Sequence, residues 1–255
     1  MPFICAGYPA PGDTAPLLAA IERGGASVVE VGFPFSDPIA DGPVIAAAMH
    51  EALQKGVTPA SVCAQVADAR AAGLKIGVVA MLSVSIVHRL GPLSLLSMAK
   101  SAGIDGLIVP DLPLEEAQAL VGPARDAGLS LSLLVAPTTT PDRAARIAAL
   151  CTGFVYVLAR AGITGAGAAV DVAPLAARVA QLREATDLPL AVGFGISTPS
   201  QVRDVVHGAG ADAAIVGSAL VKRLGAGADA AGVAESFVRE LAGGLLQIAG
   251  AGTRE

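Results

Sequence analysis

The chain has 255 residues, a net charge of −5, 53% hydrophobic and 15% charged residues, and no tryptophan. That length holds one large α/β domain or two small ones, and parallel barrels of this size are commonly a single domain. With no run of Lys or Arg there is no electrostatic footprint for nucleic acid or an anionic membrane, which sets those partners aside.

Cys5, Cys63 and Cys151 lie far apart without metal-like spacing and read as small buried hydrophobes in a reducing compartment. Met1-Pro2-Phe3 opens with no basic n-region, and no apolar run nears the roughly 18 residues a membrane span needs. The expectation is a cytoplasmic protein.

Taken in chain order, one unit recurs: a helix ending in Gly, then a short apolar run, then Gly or Pro. The predicted strands are Phe3 to Cys5, Ser27 to Val31, Ile76 to Ala80, Gly106 to Val109, Leu131 to Val135, Phe154 to Leu158, Leu190 to Val192 and Ala213 to Val216. Gly supplies the left-handed residue that ends a helix, and continuous apolar runs are what parallel strands buried on both faces require. Between them Leu17, Leu18 and Ile21, and later Leu175, Val179 and Leu182, form single helical stripes. Asp13-Thr14, Asp142, Asp171 and Thr198-Pro199 mark helix starts, and two helices, Val44 to Gln54 and Pro59 to Ala71, fit after the second strand. Eight such units without a long insertion favour a single (β/α)8 TIM barrel spanning 1–255 over an open sheet.

In such a barrel the chemistry sits at the C-terminal strand ends. Glu30 lies inside an apolar β-branched run, where an ionised carboxylate costs several kcal/mol or has its pKa driven upward. A proline-stiffened loop then delivers Asp37 and Asp41 before a helix begins. Glu30 could instead be a structural ion-pair partner, and Asp37 and Asp41 loop-capping residues. Gly162 to Gly165, Gly193 to Ser197 and Gly217-Ser218 follow the last three strands, where backbone N–H groups, the Ser218 hydroxyl and a helix start suit a phosphate. Asp111, after the fourth strand, faces the same rim and, with Asp37, is a candidate for positioning the second loop. Tyr156 and Arg160, at the end of the sixth strand, are either packing or site residues. His50, His88 and His207 have no second ligand at metal spacing, so metal chemistry is not expected.

Together, Pro2 to Pro9, Glu30 to Pro43, Arg160 to Gly165, Gly193 to Ser197 and Gly217 to Ala219 resemble the tryptophan synthase α subunit family over nearly the whole chain. The Glu30 run with Pro34-Phe35-Ser36-Asp37-Pro38 and Ala40-Asp41-Gly42-Pro43 is specific to that family; the glycine clusters are shared by many phosphate-binding barrels. The resemblance implies a lyase that splits indole-3-glycerol phosphate into indole and glyceraldehyde 3-phosphate with no cofactor of its own. It also implies a β subunit carrying pyridoxal phosphate, in an αββα heterotetramer. Carried over by residue, Glu30 and Asp41 match the catalytic pair, and Phe3 and Tyr156 match the indole pocket. Thr164 matches a loop residue that orders Asp41, and Gly165, Gly195, Gly217 and Ser218 match the phosphate site. Two departures stand out: the family usually begins with a helix ahead of strand one, whereas this chain starts at the strand. In addition, Gly77 to Ile86 lacks the Tyr and Asn usual after strand three. Two other readings stay open on the residues alone: a different sugar-phosphate enzyme on the same barrel, and a non-catalytic member that only activates a β subunit.

Overall fold

A computed structural model describes residues 1–38, 41–159, 171–193, 195–227 and 229–246. The parallel strands are β1 Phe3–Cys5, β2 Val28–Gly32, β3 Gly77–Met81, β4 Gly106–Ile108, β5 Ser130–Ser132, β6 Leu134–Val135, β7 Val155–Leu158, β8 Leu190–Gly193 and β9 Ala213–Ile215. They pair in chain order, β1 to β5 and then β6 to β9. A parallel bridge between Pro2 and Val216 brings the last strand beside the first. Phe3 N–H donates to Val216 O and Val216 N–H to Met1 O, both at 2.9 Å, and the ring closes.

The predicted fifth strand is divided into β5, which pairs with β4, and β6, which pairs with β7. Its early residues meet the following turn through side chains. Thr152 Oγ1 accepts from Leu131 N–H at 2.9 Å, and Ser132 Oγ accepts from Phe154 N–H at 3.3 Å. Hydroxyls stand where ladder carbonyls would, so the segment bends from one sheet to the other without leaving buried N–H groups unpaired. The eight expected strand positions are therefore present around one ring.

Helices pack outside. Leu17, Leu18 and Ile21 of α1 (Thr14–Arg23) are fully buried, as their stripe requires. The second connection carries the two expected helices, α2 Pro43–Gln54 and α3 Pro59–Ala71. The third also carries two, α4 Val84–Leu90 and α5 Pro92–Ser101, parted at Gly91. Gly91 takes φ 79° and Pro92 follows it, a combination that stops one helix and starts the next. Alternation along the strands separates two cores. Val29, Val31, Val78 and Leu107 face the helices. Val79, Ile108, Tyr156, Ala191 and Ile215 fill the barrel.

At the N-terminal ends of the strands the two halves of the barrel repeat one device. Arg70 of α3 donates through Nε to Gly103 O at 2.9 Å, through one terminal nitrogen to Leu74 O (3.0 Å) and Ile76 O (2.8 Å), and through the other to Asp105 Oδ2 at 2.6 Å. The same Asp105 oxygen accepts from Val78 N–H at 2.8 Å. Arg183, at the end of α8 (Val172–Arg183), likewise donates to Leu188 O, Gly210 O and Asp212 Oδ2. Asp212 in turn accepts from Leu190 N–H at 2.7 Å. Each clamp joins the start of one strand to the residue ahead of the next.

Arg70→Ala should lower stability by about 2 kcal/mol, because three carbonyls lose a charged donor. Asp105→Asn, which keeps an acceptor for Val78, should cost under about 1 kcal/mol, since a half-exposed ion pair contributes little alone. Urea melts of both variants check this; equal losses would assign the clamp to the charge pair rather than to the carbonyls.

Candidate active site

Glu30 occupies the middle of β2, opposite Phe3 on one side and Val79 on the other. Its strand neighbours Val29 and Val31 point to the helices, so alternation sends the Glu30 side chain into the barrel. There it is 0% exposed, and among the described residues neither carboxylate oxygen has a hydrogen-bond partner. Burial pushes its pKa up to about 8. Among the described residues no side chain pairs with those oxygens, and the chain's amino group offsets the upward shift only in part. The group is a carboxylic acid at neutral pH in an apolar enclosure, able to give up a proton to whatever enters.

Space above it is created by two inward-facing glycines. A Cβ on Gly32, one inward position beyond Glu30, would come within 2.5 Å of the Phe3 ring. A Cβ on Gly193 would lie 2.8 Å from the Tyr156 ring. Phe3 and Tyr156 thus lie over glycines, Tyr156 within the cluster that fills the barrel and Phe3 in register beside Glu30. Tyr156 sits within β7 rather than at its end. Burial, then the nearby Glu30 and Asp41, hold its phenol well above its ordinary pKa. Cys5, at the end of β1, is buried and its thiol is pushed up to about 12, which removes it as a nucleophile at neutral pH.

Asp41 stands two residues before α2, held by a turn in which its N–H donates to Pro38 O at 3.0 Å. Burial raises its pKa to about 6, less than for Glu30, so it is largely ionised near pH 7. Asp37 is exposed and accepts from Ser36 Oγ within its own loop. Asp111 departs from expectation. Its oxygens accept from Ser83 Oγ at 2.6 Å and Val84 N–H at 2.8 Å, so among the described residues it holds the loop after β3 rather than the loop carrying Asp41. All three aspartates line one small cleft of about 40 Å³ with Met81 and Pro110.

Gly195, with φ 80°, follows β8, and Gly217 with Ser218 opens α10 (Ser218–Leu224) after β9. Both lie on the rim that carries Asp41, and in the first turn of α10 Leu220 N–H already donates to Gly217 O at 2.9 Å. Arg160, Thr164 and Gly165 lie outside the described residues. A larger cavity, about 460 Å³, opens on the opposite face between Val28, Phe154, Ala213 and Leu241. Its carboxylates, Asp105 and Asp212, are committed to the clamps, and the Met1 amino group, which also lines it, donates to Ala214 O at 2.9 Å. Among the described residues no cluster of His, Cys, Asp and Glu could hold a metal ion.

Sequence reasoning passed over Gly32 as a space-maker, Gly193 in the same role and Ser83 as a partner of Asp111. The signal for the first two was available: each is a glycine at an inward position of a strand, where a side chain would ordinarily fill the barrel.

The family described as tryptophan synthase alpha chain matches residues 1–247. A tryptophan synthase alpha chain of Prochlorococcus marinus is 47% identical over 224 residues, covering 88% of this chain and 80% of the relative. Among solved structures, the tryptophan synthase subunit alpha of Legionella pneumophila superposes with a TM-score of 0.86 at 32% identity, covering 96% of this chain and 91% of that one. An aminoacrylate-bound tryptophan synthase from M. tuberculosis gives 0.85 at 31% identity, covering 96% and 92%. With an inward, unpaired glutamic acid and a rim aspartate on a barrel of this pattern, the chain belongs to the tryptophan synthase alpha chain family.

Proposed function

We propose that this chain, as one barrel domain, splits indole-3-glycerol phosphate into indole and glyceraldehyde 3-phosphate in tryptophan biosynthesis, with Glu30 and Asp41 as its catalytic pair. The observation that carries the roles is the fully buried Glu30 carboxyl, without a hydrogen-bond partner among the described residues, beside a more weakly shifted Asp41 on the same barrel. Two carboxyl groups whose environments push their pKa values apart can divide acid and base duties.

The reaction needs three proton events. The Glu30 acid gives its proton to indole C3, and the ring becomes a cation centred on N1. Asp41, ionised, accepts the N1–H and stabilises that charge. The Glu30 carboxylate then takes the proton of the hydroxyl on the adjoining carbon. As that carbon becomes an aldehyde, the carbon–carbon bond breaks and its electrons return to the ring. Glu30 ends protonated, as it began, and no electron acceptor is required. Phe3 and Tyr156 line the indole site. Gly195, Gly217 and Ser218, with Thr164 and Gly165, hold the phosphate, whose binding keeps the reacting carbon in register.

No cofactor is called for in this subunit. The partner is a tryptophan synthase β subunit carrying pyridoxal phosphate, in an αββα heterotetramer in the cytoplasm. Asp37, exposed on the catalytic rim, belongs to the surface that would meet it.

Asp41 must be ionised and Glu30 protonated, so kcat/KM should rise through about pH 6 and fall through about pH 8. A single rising limb with no fall at high pH would remove Glu30 as the acid. Glu30→Gln should lower kcat by about 10³-fold or more. It should also stabilise the fold. The folded pKa of about 8 lies above the ordinary 4.5, so rising pH strips a proton that the native state prefers to keep. The variant should therefore melt about 5–10 °C higher than the parent at pH 8 and within about 2 °C of it at pH 4.5. Adding β subunit to saturation should raise the rate of indole release; unchanged kinetics would count against the partnership.

A further inference from the structure

The β3–β4 ladder ends with Met81 opposite Ile108 and a last bond, Leu82 N–H to Ile108 O at 3.1 Å. Beyond it the two chains part, β3 into α4 and β4 into the turn Pro110-Asp111. Asp111 reaches back across that gap. Its two oxygens take different donors on consecutive residues, the Ser83 hydroxyl at 2.6 Å and the Val84 N–H at 2.8 Å. Ser83 is the N-cap of α4, and its Oγ also accepts from Ser85 N–H at 3.2 Å. That contact already caps a short helix, so the bonds to Asp111 do something further: they tie one strand exit to the next. Bonds to a carboxylate are about twice as strong as neutral ones, and two in parallel fix direction as well as distance.

What is fixed is a wall. Leu82, Ser83, Pro110 and Asp111 line the same narrow cleft as Asp41. Leu82 is 2% exposed. A cleft of about 40 Å³ has little slack, so a wall that drifts by a fraction of an ångström changes what can lie against Asp41. We propose that Asp111, acting through Ser83 and Val84, is a positioning residue that sets this wall against the indole half of the substrate, an inference that rests on the lyase reading above. It touches no reacting atom. Its effect should fall on the aromatic fragment and spare the phosphorylated one, because Gly195, Gly217 and Ser218 follow β8 and β9 rather than β3 and β4.

The reverse reaction separates the two fragments, since indole and glyceraldehyde 3-phosphate are then varied independently. In Asp111→Ala the KM for indole should rise about tenfold, and the KM for glyceraldehyde 3-phosphate should stay within about twofold of the parent value. Asp111→Asn keeps an acceptor for Val84 N–H and an amide that can bond the Ser83 oxygen, and should recover most of the loss. Ser83→Ala should weaken indole binding in the same sense, and the double variant should be no worse than Asp111→Ala, as one shared latch requires. An unchanged KM for indole in Asp111→Ala, with the parent active, overturns the latch and leaves the lyase reading intact. Parallel rises in both KM values with a lowered melting temperature also overturn it, by reducing Asp111 to a general stabiliser. A parent enzyme inert toward this pair of substrates overturns the lyase reading and the latch together.

Discussion

A carboxyl group with no hydrogen-bond partner among the described residues, in the middle of an apolar barrel, is the constraint to which the rest of this molecule is fitted. Glu30 cannot be ionised cheaply there, and it cannot reach water from the centre of a closed ring of strands. Closure is what imposes the isolation. The Pro2–Val216 bridge seals the last gap beside β1, and each flank of Glu30 is occupied by a register partner, Phe3 or Val79. Opening the ring at that seam would hydrate the acid and return its pKa toward the ordinary carboxylate range, so ring closure and proton affinity are one property.

Isolation alone would give an inert acid sealed in a packed core. The two inward glycines prevent this, because the layer above Glu30 is furnished with rings instead of aliphatic side chains. Phe3 and Tyr156 fold over Gly32 and Gly193, which leaves flat walls on either side of the acid. An alanine at either glycine would push a ring toward the space a planar substrate must occupy, so these positions trade interior packing for a slot. Stability is made up at the other end of the barrel. The clamps of Arg70 with Asp105 and Arg183 with Asp212 satisfy carbonyls and strand-initial N–H groups where no chemistry is expected. The Glu30 carboxyl is left without a partner among the described residues inside the barrel, while the polar groups of the base are paired several times over.

How legible this was in the sequence follows from which interactions are local. The strands could be read because continuous apolar runs after helix-ending glycines leave few alternatives, and Glu30 stood out as a charge inside one of those runs. Asp41 could be placed on the rim because its loop is short and stiff with proline. The division of the fifth strand was not legible, since it depends on Thr152 and Ser132 replacing ladder bonds across a turn. Nor was the true partner of Asp111. A carboxylate after strand four is equally close in sequence terms to the loops on either side, and only the distance to Ser83 decides between them. The clamps did leave a trace: Ala102-Gly103-Ile104-Asp105-Gly106 and Ala209-Gly210-Ala211-Asp212-Ala213 share one pattern, with an aspartate one residue before the strand. Their arginines, on preceding helices, carry no comparable mark.

The two carboxyl groups differ in how they are held, and the difference suits their tasks. Glu30 is fixed by a strand bonded on both sides, its own N–H donating to Pro2 O at 2.9 Å. Asp41 is held by one turn bond and by the start of α2. Transfer of a proton to carbon is sensitive to small errors in distance and direction, so the donor belongs on the least yielding element. Stabilising a charge spread over a ring is less demanding, because Coulomb energy changes slowly with separation. A carboxylate on a loop can follow the ring it stabilises without loss of function. A loop-borne acid and a strand-borne electrostatic partner would reverse that match, with the proton donor left to wander while the tolerant interaction was held rigid.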